Sequence, residues 1–189
     1  MCIRDSRALA RIRQQGLHPR EVGTLPGAAG GPKALGIQGL DLALFGEWLP
    51  SAPRERSLIG ASVGSWRFAS ACLPDAAEGI RRLGQLYNAQ SFAKGVTMAQ
   101  ISQSSRRMLE DLLEGRDASI LDNPHYRLNI MVVKSHGLLA DDHRGRLGLG
   151  LSSVIADNLR GRARLARHFE RLVLHLSLIH ISEPTRLLS

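Results

Sequence analysis

Between residues 22 and 73 the chain alternates short apolar runs with longer segments of helical periodicity. An apolar run at 22–25 leads into a glycine-rich loop, and large apolar residues then recur at helical spacing over 34–49. A second apolar run at 57–60 leads through Ser62 into another helical segment. This order is typical of βαβ units. It predicts an α/β fold with a mainly parallel sheet flanked by helices, and functional groups at the carboxyl ends of the strands.

The rest of the chain adds helices and one clear strand. Apolar periodicity predicts helices over 76–87 and Met98–Leu113, the second with a capping box that begins at Thr97. The segment Tyr126–Ser135 is β-branched and apolar on both faces at its centre, as buried parallel strands are. The arginine-rich stretch 160–171 is predicted to be a basic helix.

Length and composition favour one globular domain. The chain has 189 residues, of which 43% are hydrophobic and 22% are charged. No apolar run reaches bilayer length and the N-terminus lacks the pattern of a signal peptide, so we expect a cytoplasmic protein. Cys2 and Cys72 form neither a disulfide framework nor a metal-ligand spacing, and we expect no metal and no cofactor.

The net charge of +8 is concentrated in residues 160–171. Such a segment could attract phosphates or an anionic membrane surface. The favoured interpretation is a solvated face, or a surface that further sequence covers. Because the chain has only two tryptophans and two tyrosines for base stacking, we expect no nucleic-acid partner.

Ser62 is the candidate nucleophile. It lies in a G-x-S-x-G pattern, with Gly60 and Gly64 on either side, between the second apolar run and a helix. In such an elbow the serine occupies a sharp turn, and small residues two positions away let neighbouring backbone pass closely. A serine also needs a base and donors for the oxyanion that forms after attack. The alternative is that Ser62 is only a small residue in a tight turn.

The glycine-rich loop after the first apolar run could supply those donors. Gly27, Gly30 and Gly31 can expose backbone N–H groups, whereas Pro32 has none to give. Lys33 could fix the loop or add positive potential. The alternatives are a turn that holds a phosphate or that holds nothing, and the spacing does not fit a Walker A loop.

Together, the loop and the elbow resemble the patatin-like phospholipase family. The stretches GAAGGPKALGIQGLDLALFGEWL and LIGASVGSWRF are similar to a bacterial subgroup, and the resemblance covers most of 24–175. It implies an α/β-hydrolase-related fold and a serine–aspartate dyad that cleaves acyl esters of lipids, with aspartate as the base and no histidine. On this resemblance the nucleophile is Ser62, the elbow glycines are Gly60 and Gly64, and the oxyanion loop comprises Gly27, Gly30, Gly31 and Lys33.

The catalytic aspartate of that family normally precedes a glycine, and no aspartate of this chain does. The downstream aspartates that lack it include Asp117, Asp122, Asp141, Asp142 and Asp157. The base therefore has no assigned residue here.

Both ends of the chain resemble translated sequencing-adapter DNA of metagenomic reads, in the stretches MCIRDS and LSLIHISEPTRLLS. We expect residues 1–6 and 176–189 to be non-native, with an incomplete patatin-like domain over 7–175. No structural weight is then given to the strand-like run LVLHLSLIHI, or to His168, His175 and His180 as a metal site. The native aspartate would have followed His175, and we expect the chain as written to be inactive or nearly so.

Two other functions stay open. One is an α/β-hydrolase esterase triad of Ser62 with Asp141 or Asp142 and His168 or His175, which requires a histidine within reach of the serine. The other is a non-catalytic module that uses the glycine loop and 160–171 to bind anions or a membrane surface. The headgroup, the acyl chain and the oligomeric state are not indicated.

Overall fold

The computed structural model of the protein describes residues 6–140 and 143–176. Its strands are β1 (Thr24–Gly27), β2 (Arg56–Ala61), β3 (Tyr126–Ser135) and β4 (Phe169–Leu176). Its α-helices are α1 (Ser6–Gln15), α2 (Gln38–Ala43), α3 (Val63–Ala71), α4 (Ala76–Asn88), α5 (Met98–Leu113), α6 (Asp117–Leu121) and α7 (Arg144–Arg160).

The four strands form one sheet in the order β1-β2-β3-β4. The first three strands run parallel, and β4 pairs antiparallel with β3. Gly27 at the end of β1 lies opposite Gly60 of β2, and Ala61 lies opposite Met131 of β3. The predicted α/β fold with a mostly parallel sheet flanked by helices is therefore confirmed.

The core lies where β2 and β3 meet α3. Residues of β2 alternate between buried and half-buried, so Leu58 packs inward. Leu58 and Leu128 of β3 share one hydrophobic cluster with Phe68 of α3 and with Cys72, which caps the carboxyl end of that helix. This packing holds α3 directly against the strand that precedes it.

The first residue of β2 is a buried arginine. Arg56 is 1% exposed, and its guanidinium donates hydrogen bonds to the backbone carbonyls of Pro19, Val22, Ala52 and Arg54. Hydrogen bonds to carbonyls replace the water that this cation loses on burial. The arginine thereby holds two segments together at the amino end of the sheet: the residues before β1 and the linker before β2.

The predicted helix over 34–49 is helical but irregular. A 3-10 segment, Gly31–Ile37, runs into α2, and a π-helical turn, Leu44–Trp48, follows. The capping box predicted at Thr97 is confirmed, because its hydroxyl accepts from the backbone N–H of Gln100, whose side chain accepts from the N–H of Thr97.

The predicted basic helix over 160–171 is wrong. Helix α7 ends at Arg160, Gly161 follows with φ +148°, and a 3-10 segment, Arg162–Arg167, leads into β4. Arginine, leucine and alanine favour a helix locally, but residues from Phe169 onward gain a full ladder against the edge of β3. The first half of the strand-like run LVLHLSLIHI thus lies in β4, and His180 lies outside the described residues.

Candidate active site

Ser62 lies in the turn between β2 and α3 with a left-handed backbone. Its φ is +53° and its ψ is −127°, and among the described residues Glu114 is the other non-glycine residue with positive φ. A side chain rarely adopts this conformation, which is the one that glycine usually supplies in a turn. The carbonyl of Ser62 accepts a hydrogen bond from the N–H of Ser65 at 2.9 Å, and this bond begins α3. Ser62 is exposed to solvent.

The two elbow glycines lie where no side chain fits. A Cβ on Gly60 would lie 2.6 Å from both the Cα and the N of Ser65. A Cβ on Gly64 would lie 2.2 Å from the carbonyl oxygen of Gly27 and 3.0 Å from that of Ala28. Glycine at both positions therefore lets α3 start directly behind the strand and lets the end of β1 touch its first turn.

That contact brings the glycine-rich loop to the elbow. Gly27 is buried as the last residue of β1, and residues 28–30 are exposed. Gly31 has φ +54° and opens the 3-10 segment, on which Lys33 is exposed. Within the described part of the chain, the N–H groups of residues 28–30 donate to no acceptor. The structure thus brings the carboxyl end of β1 against the first turn of α3, which directly follows the exposed Ser62.

An ion pair between the buried Asp41 and Arg67 holds the helix that follows the elbow, and no sequence pattern predicts this pair. Asp41 of α2 is 2% exposed and accepts two hydrogen bonds from Arg67 of α3, one of them 2.6 Å from Nε to Oδ2. The paired geometry fixes α2 against α3 one turn after the serine. Asp41 and Arg67 lie 26 residues apart in the chain, so only the folded arrangement shows that they are partners.

The histidines of the alternative triad are held elsewhere. His168 Nε2 is 2.8 Å from Asp157 Oδ2, and this hydrogen bond lowers the pKa of the carboxyl. His175 Nδ1 is hydrogen-bonded to Asn129 Oδ1.

The sheet register separates His175 from the serine as well. His175 lies opposite Asn129, and Asn129 lies opposite Ile59, so two strand spacings and three residues put its Cα roughly 14 Å from that of Ser62. Within residues 6–140 and 143–176, the Ser62 hydroxyl makes no hydrogen bond to a histidine or a carboxylate. Asp141 and Asp142 lie outside the described residues.

A cavity of about 550 Å³ lies at the other end of the sheet. Arg56 and Tyr126, the first residues of β2 and β3, line it together with Phe45 and Leu49. Burial raises the pKa of Tyr126 and lowers that of Arg56. Because Ser62 follows the last residue of β2, this cavity does not belong to the elbow.

Within the described ranges, no helix is long and apolar enough to span a membrane, and no group of three or more histidine, cysteine, aspartate or glutamate residues could hold a metal ion. Comparison of the chain with protein-family models, with curated proteins and with solved structures finds no match.

Proposed function

We propose that the protein is a lipid acyl-ester hydrolase of the patatin-like type in which Ser62 is the nucleophile. One observation carries the proposal: an exposed serine with left-handed backbone joins a parallel strand to a helix. The glycines two positions before and after it leave room for the start of the helix and for the backbone of residues 27–28. Proteins retain a strained backbone of this kind mainly where function requires it. A turn without a chemical task would favour glycine at this position.

The proposed reaction is an acyl transfer to the serine. The Oγ of Ser62 bonds to the ester carbonyl carbon as its proton passes to solvent, and the alcohol of the lipid leaves with a proton taken from solvent. Water then attacks the acyl-serine, releasing a fatty acid and restoring the hydroxyl. No cofactor takes part in this sequence.

The oxyanion formed in both steps needs donors that are already in place. The N–H of Val63, in the first turn of α3, and the free amides of residues 28–30 are the groups we assign to this task. The dipole of α3 adds positive potential at the same point. Removal of one such donor typically lowers the rate by about 10²- to 10³-fold.

We assign no base to Ser62, because the described residues offer none in hydrogen-bond contact with it. The proton must then pass to solvent, so we expect reaction to be slow at neutral pH and to accelerate as hydroxide rises. The proposal also places the protein in the cytoplasm, where the buried thiol of Cys72 would stay reduced.

Covalent labelling tests the nucleophile. The full chain is treated with a fluorophosphonate at pH 7 and pH 9, and the modified residue is mapped by mass spectrometry. We expect an adduct on Ser62 that forms faster at pH 9, disappears in Ser62→Ala and persists in the control Ser102→Ala on the exposed face of α5. Equal labelling of Ser62→Ala, or no adduct at either pH, would contradict the proposal.

A further inference from the structure

We propose that α7 and the arginine-rich segment after it form a surface that docks onto an anionic lipid bilayer. We call this the α7 surface and define it by an apolar stripe of Leu151, Ile155 and Leu159 and a basic cluster of Arg160, Arg162 and Arg167. Both parts are exposed in the structure.

The apolar stripe is one continuous line along the helix. Leu151, Ile155 and Leu159 recur every four residues, so they lie within one narrow sector of α7. Their exposures are 49%, 60% and 83%. No charged residue occurs between 147 and 156, so nothing in this part of the helix would oppose insertion among lipid headgroups.

The other side of α7 faces the protein. Gly150 is buried, and a Cβ placed on it would lie 2.9 Å from the Cδ2 of Leu139. Val154 shares this side and is half-buried, whereas Leu147 continues the line of the stripe toward the start of the helix and is also half-buried. The stripe is therefore the side of the helix that the described chain leaves uncovered.

The basic cluster continues from the end of the stripe. From residue 144 to residue 171 the sequence has seven arginines and two carboxylates. Both carboxylates are engaged within the fold: Asp157 by His168 and Arg164, and Glu170 by His136 at 3.4 Å. The surface therefore presents an excess of positive charge beside its apolar stripe, which is the pairing that anionic bilayers attract.

A bilayer fits these features better than a second copy of the chain. Two copies joined along their stripes would bring two arginine clusters into the same assembly, where like charges repel. Lipid phosphates instead complement the arginines, whose long side chains can reach headgroups while the leucines enter the acyl boundary.

The α7 surface also lies toward the end of the sheet that bears Ser62. Strand β3 continues past Met131, which lies opposite Ala61, as far as Ser135. The short 3-10 segment Gly137–Ala140, on which α7 packs, follows directly. Docking would place the carboxyl edge of the sheet near the bilayer. The docking surface does not depend on the proposed hydrolase chemistry.

Co-sedimentation with vesicles tests the inference. The full chain is mixed with vesicles of phosphatidylcholine alone or of equal parts phosphatidylcholine and phosphatidylglycerol. We expect binding to the anionic vesicles that weakens as salt increases. Leu151→Ser with Ile155→Ser and Leu159→Ser should weaken it by more than about tenfold. Changing the three arginines of the cluster to glutamine should weaken it by about fivefold for each arginine.

The controls separate this surface from others. Met98→Ser with Leu109→Ser removes two exposed apolar residues of α5, at 56% and 38% exposure, and should leave binding unchanged. Ser62→Ala should also bind normally, whatever its effect on labelling. Circular dichroism checks that each variant folds. If the variant with serines at 151, 155 and 159 does not fold, the variant with glutamines in the basic cluster tests the inference alone.

Three results would overturn the inference. The first is no binding of the unchanged chain to anionic vesicles. The second is binding by the stripe and arginine variants that equals that of the unchanged chain. The third is a lipid-free dimer in sedimentation equilibrium that the stripe variant abolishes. The last result would identify a second copy as the occupant.

Discussion

Gly64→Ala tests the contact on which the candidate site depends. The new Cβ would lie 2.2 Å from the carbonyl oxygen of Gly27 and 2.5 Å from its carbonyl carbon. Both atoms belong to the backbone of β1, which is paired with β2, so no flexible side chain can move aside. The end of β1 and the start of α3 must therefore separate by about 1 Å to restore ordinary contact distances.

The expected loss of stability is large, because a clash with backbone atoms falls at the upper end of the destabilisation that overpacking usually causes. We expect the free energy of unfolding to fall by about 3 kcal/mol. For a chain of this size that loss lowers the melting temperature by about 6 to 12 °C. A displacement of about 1 Å between loop and serine should also slow fluorophosphonate labelling of Ser62 by about 100-fold.

Gly39→Ala is the matched control. Gly39 lies in α2, and a Cβ placed on it would meet nothing within 4 Å. Alanine should stabilise the helix there by about 0.5 to 1 kcal/mol, the opposite sign to Gly64→Ala. Urea titrations followed by circular dichroism compare the two variants. If Gly64→Ala unfolds at the same urea concentration as the wild type, the end of β1 is not packed against the elbow and the proposed oxyanion loop is misplaced.

Three further predictions concern other parts of the fold. Asp41→Ala leaves the Arg67 guanidinium without its partner and should lower the free energy of unfolding by about 3 kcal/mol, whereas a loss under about 1 kcal/mol would show that the pair behaves as an exposed one. Burial raises the pKa of Cys72 to about 12, so native protein at pH 8 should resist alkylation at this thiol until it unfolds, and rapid native alkylation would refute the assigned burial. The hydrogen bond from His168 lowers the pKa of Asp157, so this carboxylate stabilises the fold at neutral pH and the effect disappears as the pH falls below about 4. The gap in urea midpoint between wild type and Asp157→Asn should close over that pH range, and a gap that does not depend on pH would contradict the assignment.

The sequence predicts the sheet and the elbow well because their signals are local. The apolar run before Ser62 and the glycines on either side of it are contiguous, and the short spacing of strand and helix leaves a parallel crossover as the simplest topology. The first strand is displaced by two residues, to Thr24–Gly27, since its end is set by pairing with β2 rather than by its own composition.

Partners distant in sequence could not be predicted. Nothing in the chain marks Asp41 as the partner of Arg67, or Asn129 as the partner of His175, because each pair forms only when separate elements meet. Strand β4 was predicted only in part. Its first three residues fall in the predicted basic helix 160–171, although pairing with the open edge of β3 makes the extended form favourable. The residues from Leu172 onward look strand-like, but they were set aside because they adjoin the adapter-like tail.

The left-handed backbone at Ser62 has a consequence for natural variation. The dihedral pair of +53° and −127° suits a residue without Cβ, so Ser62→Gly should make the chain harder to unfold while leaving no hydroxyl there to react. Thermodynamic stability and chemical competence therefore oppose each other at this one position. In any lineage released from the need for the hydroxyl, drift toward glycine would be expected, and continued presence of serine would itself record selection for chemistry.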